Sequence, residues 1–167
     1  MDNRNTVWRH VDAQTERLIA LSDRVWGMPE VCYTEARSCA EHVAELRHQG
    51  FRVTEAVAGI PTAVMGEAGD GGPVIAFLGE YDALPGLSQE AGVAEHRPVE
   101  AGGHGHGCGH NLLGSAALLA ATALKDWLAE TGTPGRVRYY GCPAEEGGAA
   151  KAFMVRAGAF ADADIAI

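Results

Sequence analysis

The sequence has little positive charge to offer a partner. Its 13 Lys and Arg stand against 22 Asp and Glu, a formal net charge of -9 with His neutral, and the basic residues are scattered along the chain. Phosphate binding needs a concentrated basic face, so nucleic acid and anionic membrane are excluded as partners. Long hydrophobic runs are missing too. No stretch reaches the roughly 18 apolar residues of a membrane span, and Met1-Asp2-Asn3-Arg4 leads into a polar amphipathic segment rather than an apolar signal region. The expected location is therefore the cytoplasm. Cysteine is scarce, with Cys32, Cys39, Cys108 and Cys142 the full set, and in that compartment they are expected as thiols or ligands rather than a disulfide framework. Repeats and low-complexity tracts are absent. What remains, 167 residues of which 47% are hydrophobic, suffices for the core of one compact domain.

Against this background one stretch stands out, Gly103-His104-Gly105-His106-Gly107-Cys108-Gly109-His110-Asn111. Three imidazoles and a thiol lie within seven residues, separated by glycines that let the backbone bend the ligand atoms towards one point. The small and apolar run Leu112 to Leu124 follows and predicts a buried helix, which puts the cluster at a helix N-terminus. The tract has no phosphate-loop lysine and is not a nucleotide cradle.

The rest of the pattern predicts an α/β fold, a mixed, largely parallel sheet flanked by helices. Apolar spacing from Thr6 to Trp26 predicts an amphipathic helix. A second helix is expected from Thr34 as N-cap to Gln49, with Ala36, Cys39, Ala40, Val43 and Leu46 inward and Gly50 as its stop. Strands are expected over Phe51 to Ala58, Thr62 to Gly66, Pro73 to Leu78 and Arg136 to Cys142, with helices from Asn111 to Glu130 and from Pro143 to Arg156. The uniformly apolar Pro73 to Leu78 suits a central strand buried on both faces. The order strand, helix, strand predicts a right-handed parallel crossover.

That topology gathers residues that are far apart in sequence. Ligands in open α/β sheets bind outside the carboxyl ends of the strands, where this chain carries Glu80 and Asp82, Glu145 and Glu146, and the His/Cys loop. The bland alternative leaves these acids as solvated loop charges. Cys108, His110 and a carboxylate form a mixed thiolate, imidazole and oxygen set suited to Zn²⁺ or a similar ion, with positions left for water. In an adjacent glutamate pair, one carboxylate can bind metal while its neighbour moves protons. A cysteine hydrolase built on Cys108 and His110 ranks lower, because nucleophile and base usually come from separate elements.

Glu80-Tyr81-Asp82-Ala83-Leu84-Pro85, His106-Gly107-Cys108-Gly109-His110-Asn111 and Cys142-Pro143-Ala144-Glu145-Glu146-Gly147 resemble, in order and spacing, three successive motifs of the dinuclear-metal amidohydrolases and peptidases. That family includes aminoacylases, acetylornithine deacetylase and indole-acetyl-amino-acid hydrolases. The resemblance extends over essentially the whole chain and is strongest to the branch acting on p-aminobenzoyl-glutamate. It implies that Cys108, His110 and Glu146 bind metal, that Glu145 is the general base and that Asp82 orients a ligand. Glu80 falls where more distant relatives have a histidine ligand, and Asn111 where many close ones have aspartate, which would remove one charge near the site. The roles of His104 and His106 stay open.

The resemblance further implies two divalent ions per complete site, Zn or Mn, and a small-molecule N-acyl or N-aroyl amino acid substrate cleaved at its amide by metal-activated water. A homo-oligomer or a companion subunit is expected. Family members are much longer, with an inserted dimerisation domain and further histidine ligands, so residues 1–167 correspond to the N-terminal part of a zinc-peptidase-like catalytic domain and would hold an incomplete site. The competing expectation is a catalytically silent chain that serves as a metal-binding or subunit-association module.

Overall fold

The computed structural model describes residues 3–167, so Met1 and Asp2 of the polar lead lie outside the described residues. Five strands form one sheet: β1 (Arg52–Glu55), β2 (Val64–Asp70), β3 (Val74–Gly79), β4 (Gly135–Gly141) and β5 (Ile165–Ala166), in the spatial order β1-β2-β4-β3-β5. β3 pairs in parallel with β4 and with β5, while β2 runs antiparallel to both β1 and β4. Four strands thus share one direction and only β2 opposes them, the mixed, largely parallel sheet expected.

Helices α1 (Asn3–Trp26), α2 (Ala36–His48) and α3 (His110–Thr131) pack with one face of the sheet, and the short α4 (Glu145–Gly148) and α5 (Ala150–Arg156) follow β4. The first core joins Leu18, Leu21 and Val25 of α1, Val43 and Leu46 of α2, Leu118 and Ala121 of α3, and Val137 and Tyr139 of β4. A second, smaller core gathers Ala76, Tyr140, Cys142 and Met154. Tyr139 and Tyr140 are successive residues in different cores, as the period of two along a strand requires, and β4 is therefore buried on both sides.

Local differences from expectation have local causes. Thr34 does not cap α2, because its hydroxyl donates back to Val31 O. The Glu30 carboxylate takes that task instead, accepting from Arg37 N at 3.1 Å and Ser38 N at 2.8 Å. Ala36 and Ala40 face solvent, and the buried face is Ser38, Cys39, His42, Val43, Glu45 and Leu46. β2 starts later and runs further than expected, from Val64 to Asp70. The single helix expected after Pro143 is broken at Ala149, whose φ of 48° is left-handed.

α3 corrects the membrane argument made from run length, since by length and composition alone it is apolar enough to cross a bilayer. In the fold it packs against α1, β3 and β4, with Gly114, Ser115, Leu118, Ala121 and Thr122 buried. Its first residue, His110, belongs to a polar cluster, which marks it as a core helix of this sheet.

Candidate metal centre

Gly79 and Gly141, the last residues of β3 and β4, are paired in parallel register. The chain therefore leaves both strands side by side, with Glu80 and Asp82 on one exit and Glu145 and Glu146 on the other. α3 brings His110 to the same edge. Gly109, immediately before it, has φ 87°, a conformation that a side chain would strain. Gly105 is needed for a different reason: a Cβ there would stand 2.0 Å from Leu87 O, where two stretches of the long loop cross. Paired hydrogen bonds between Leu84 and Gly105, each 3.0 Å, close that loop at its base.

His110 is 3% exposed and sits at the centre of four carboxylates. Its Nδ1 lies 3.0 Å from both Asp82 Oδ1 and Asp82 O, which holds the ring by one edge. Nε2 on the opposite edge faces Glu80 Oε2 at 3.2 Å, Glu145 Oε2 at 3.8 Å and Glu146 Oε1 at 3.9 Å. Burial lowers the His110 pKa, but Asp82, through its carboxylate and carbonyl, and the Glu80 charge together outweigh it and the net shift is upward. Burial pushes Asp82 up, yet the hydrogen bond from His110 and those from the Glu146 and Glu145 amides hold it below its ordinary value. The Glu146 N–H donates to Asp82 Oδ2 at 2.9 Å, so Asp82 orients the imidazole and anchors the acidic turn together.

Cys108 Sγ, a ring nitrogen of His110 and a carboxylate oxygen of Glu146 all lie within 4.8 Å of one another. Glu146 Oε1 is buried and accepts no hydrogen bond. A buried carboxylate oxygen without a donor is costly, and a cation among these three groups would satisfy it. The set of one thiol, one imidazole and one carboxylate fits a divalent ion. Glu145, by contrast, is 45% exposed and free to meet a solvent molecule or a substrate atom.

A match to the model of peptidase family M20/M25/M40 covers residues 76–167, more than half of the chain. The chain belongs to this family. Among curated M20/M25/M40-related proteins, one of the subunits of Escherichia coli p-aminobenzoyl-glutamate hydrolase is 52% identical over 158 residues, 94% of this chain and 33% of that one. Mouse Xaa-Arg dipeptidase is 35% identical over 167 residues, covering 93% and 35%. The chain thus spans about a third of the length of these relatives. The same fold occurs in the Bacillus subtilis YXEP protein, described as a dinuclear metal binding M20 peptidase, with a TM-score of 0.76 at 24% identity over 93% of this chain and 42% of that one. It recurs in the aminobenzoyl-glutamate utilization protein of Klebsiella pneumoniae, TM-score 0.70 at 16% identity over 96% and 44%.

Asp82, Cys108, His110, Glu145 and Glu146, the residues given metal-binding, base or orienting roles in the sequence, meet at this edge of the sheet. Two other members of the cluster's loop do not join them. His104 is exposed, and His106 turns inward so that its Nε2 donates to Val25 O at 3.1 Å. Asn111 points away from the acids and donates to Ser22 Oγ of α1 at 3.0 Å. That hydrogen bond ties the start of α3 to α1. Two residues were missed. Lys151 of α5 donates to Glu80 Oε1 and ties up that carboxylate, and Cys32 Sγ approaches Asp82 Oδ2 at 3.6 Å. Neither lies in a motif, and only the fold places them here.

Proposed function

We propose that the chain is the N-terminal part of the catalytic domain of a metal-dependent amidohydrolase acting on an N-acyl or N-aroyl amino acid of the p-aminobenzoyl-glutamate class. The observation that carries this reading is the convergence of Cys108, His110 and Glu146 around the orphaned Glu146 Oε1, with Glu145 beside them. The 52% identity to the E. coli hydrolase chain supports the substrate class. A divalent ion held there would polarise the amide carbonyl and acidify a water. Cys108, His110 and Glu146 would hold that ion, and Asp82 fixes the His110 ring through Nδ1, leaving Nε2 towards the acids. Glu145, next in sequence and more exposed, takes the proton from water at its carboxylate and delivers it to the departing nitrogen. The thiolate favours zinc, and the carboxylates accept manganese as well. A second ion would need further ligands than Cys108, His110 and Glu146 supply.

Cytoplasmic residence is part of this reading. A companion chain is supported by the relatives' names, which describe two different subunits of the same E. coli hydrolase; the second of them matches at 38% identity over 104 residues. Elemental analysis of the purified chain together with assays on p-aminobenzoyl-glutamate tests the proposal. Glu145→Gln is expected to keep the metal and to lower turnover by about 10²–10⁴-fold. A second reading is a silent metal-binding or subunit-association module. Stoichiometric metal without hydrolysis, with or without partner chains, would select it.

A further inference from the structure

Glu35 occupies the N-cap position of α2 but makes no capping hydrogen bond there. Its side chain is fully buried and turns instead towards the loop after β4. Oε1 accepts two main-chain donors, Tyr33 N at 2.9 Å and Ala144 N at 2.8 Å. Ala144 is the residue before the Glu145-Glu146 pair. It is itself fully buried and left-handed, with φ 54° and ψ 42°. An alanine holds that conformation only where its surroundings enforce it, and such positions gather at functional sites.

The surroundings are on hand. The turn from Ala144 to Gly148 is held from three directions. Glu35 takes the Ala144 N–H, Asp82 takes the Glu146 N–H at 2.9 Å, and the Tyr33 hydroxyl donates to Gly148 O at 2.6 Å. Tyr33 packs so closely that a Cβ on Gly148 would stand 2.4 Å from its ring. The same Glu35 oxygen fixes Tyr33 N, so one carboxylate ties the brace to the turn it supports. A helix that needed only a cap would be served by Glu30, which already occupies the first two free amides of α2. Burying a second carboxylate, whose Oε2 has no hydrogen-bond partner, is costly, and capping α2 does not require it.

We propose that Glu35 is a positioning residue of the metal centre: by holding Ala144 N–H it sets the turn that aims Glu146 at Cys108 and His110 and presents Glu145 beside them. The inference rests on the metal reading of the site. Groups that orient ligands from behind are worth about 10–100-fold in metal affinity, and Glu35 acts through the peptide that carries the ligand.

The test is Co²⁺ titration of this chain, followed by the visible absorption of the thiolate-bound ion, for the unaltered protein, Glu35→Ala, Glu35→Gln, Glu146→Ala and the double variant Glu35→Ala/Glu146→Ala. Glu35→Ala is expected to weaken binding about tenfold or more. Glu35→Gln, whose carbonyl oxygen still accepts both N–H groups, recovers most of the loss. In the Glu146→Ala background Glu35→Ala should cost almost nothing further, because the ligand it positions is gone. Equal losses with and without Glu146 would mean general loosening and overturn the proposal while leaving the metal centre intact. No Co²⁺ absorption from the unaltered chain would overturn the metal reading and this inference together. Should Glu35→Ala not fold, Glu35→Asp, whose shorter side chain falls short of Ala144 N, is judged by the same criteria.

Discussion

His42 makes the stability of this fold depend on pH in a way that can be worked out beforehand. Its ring is fully buried between Tyr81, with centroids 4.9 Å apart, and Tyr139, stacked at 5.9 Å and 7°. Nδ1 lies 2.8 Å from Ser38 O and is the protonated nitrogen, while Nε2 has no hydrogen-bond partner. Burial pushes the His42 pKa from 6.5 down to about 4, against the opposing pull of Ser38 O, Glu41 and Glu45. Because the folded value lies below the unfolded one, the unfolded chain takes up the proton first. The stabilisation is complete above about pH 6.5 and is lost as pH falls towards 4. The full gap corresponds to about 3 kcal/mol, and going from pH 7 to pH 5 forfeits about 2 kcal/mol of it. For a domain of this size that lowers Tm by about 4–8 °C. Other carboxyls titrate over the same range, so the measurement is a difference. Calorimetry at pH 7 and pH 5 on the unaltered chain and on His42→Leu should show the smaller drop for the leucine variant, by about 2 kcal/mol. Equal drops in the two proteins would refute the assignment.

Two further perturbations probe the centre and its support. Gly114→Ala on α3 would place a Cβ 2.3 Å from Glu80 O and 2.9 Å from His42 Nε2; the clash should outweigh the gain in helix propensity and cost about 1–3 kcal/mol in urea unfolding. Asp82→Asn leaves one acceptor oxygen where the Asp82 carboxylate now meets the His110 ring, the Glu146 and Glu145 amides and the Cys32 thiol. Metal affinity measured by competition with a chelator should fall about 10–100-fold, and an unchanged affinity would remove Asp82 from the site.

The sheet was legible in the sequence because its strands are short apolar or alternating runs bounded by Gly and Pro, and α3 because small and apolar residues follow the ligand loop without a break. The centre was legible because its ligands are clustered within motifs, Cys108 with His110 and Glu145 with Glu146. Less could be read in α2. Its alanines look inward by composition, yet buried His42, Glu45 and Ser38 hold the inner face, since hydrogen bonds and ion pairing make polar side chains acceptable there; Glu45, for instance, is met by Arg17 at 2.7 Å.

What the sequence determined by itself was therefore chemical: which ligand types exist, which lie two residues apart, and which acids end strands. Those are local facts, carried by spacing along one chain. Tertiary structure alone decided which acid faces which atom. Asp82 and His110 are 28 residues apart, and Glu35 and Ala144 are 109 apart, and no periodicity links such positions. They meet because β3 and β4 leave the sheet side by side and because the segment before α2 is bridged to the strand exit at Val31 and Ala83. Hydrogen bonds with fixed reach then turn that proximity into orientation, which is the property a metal centre requires.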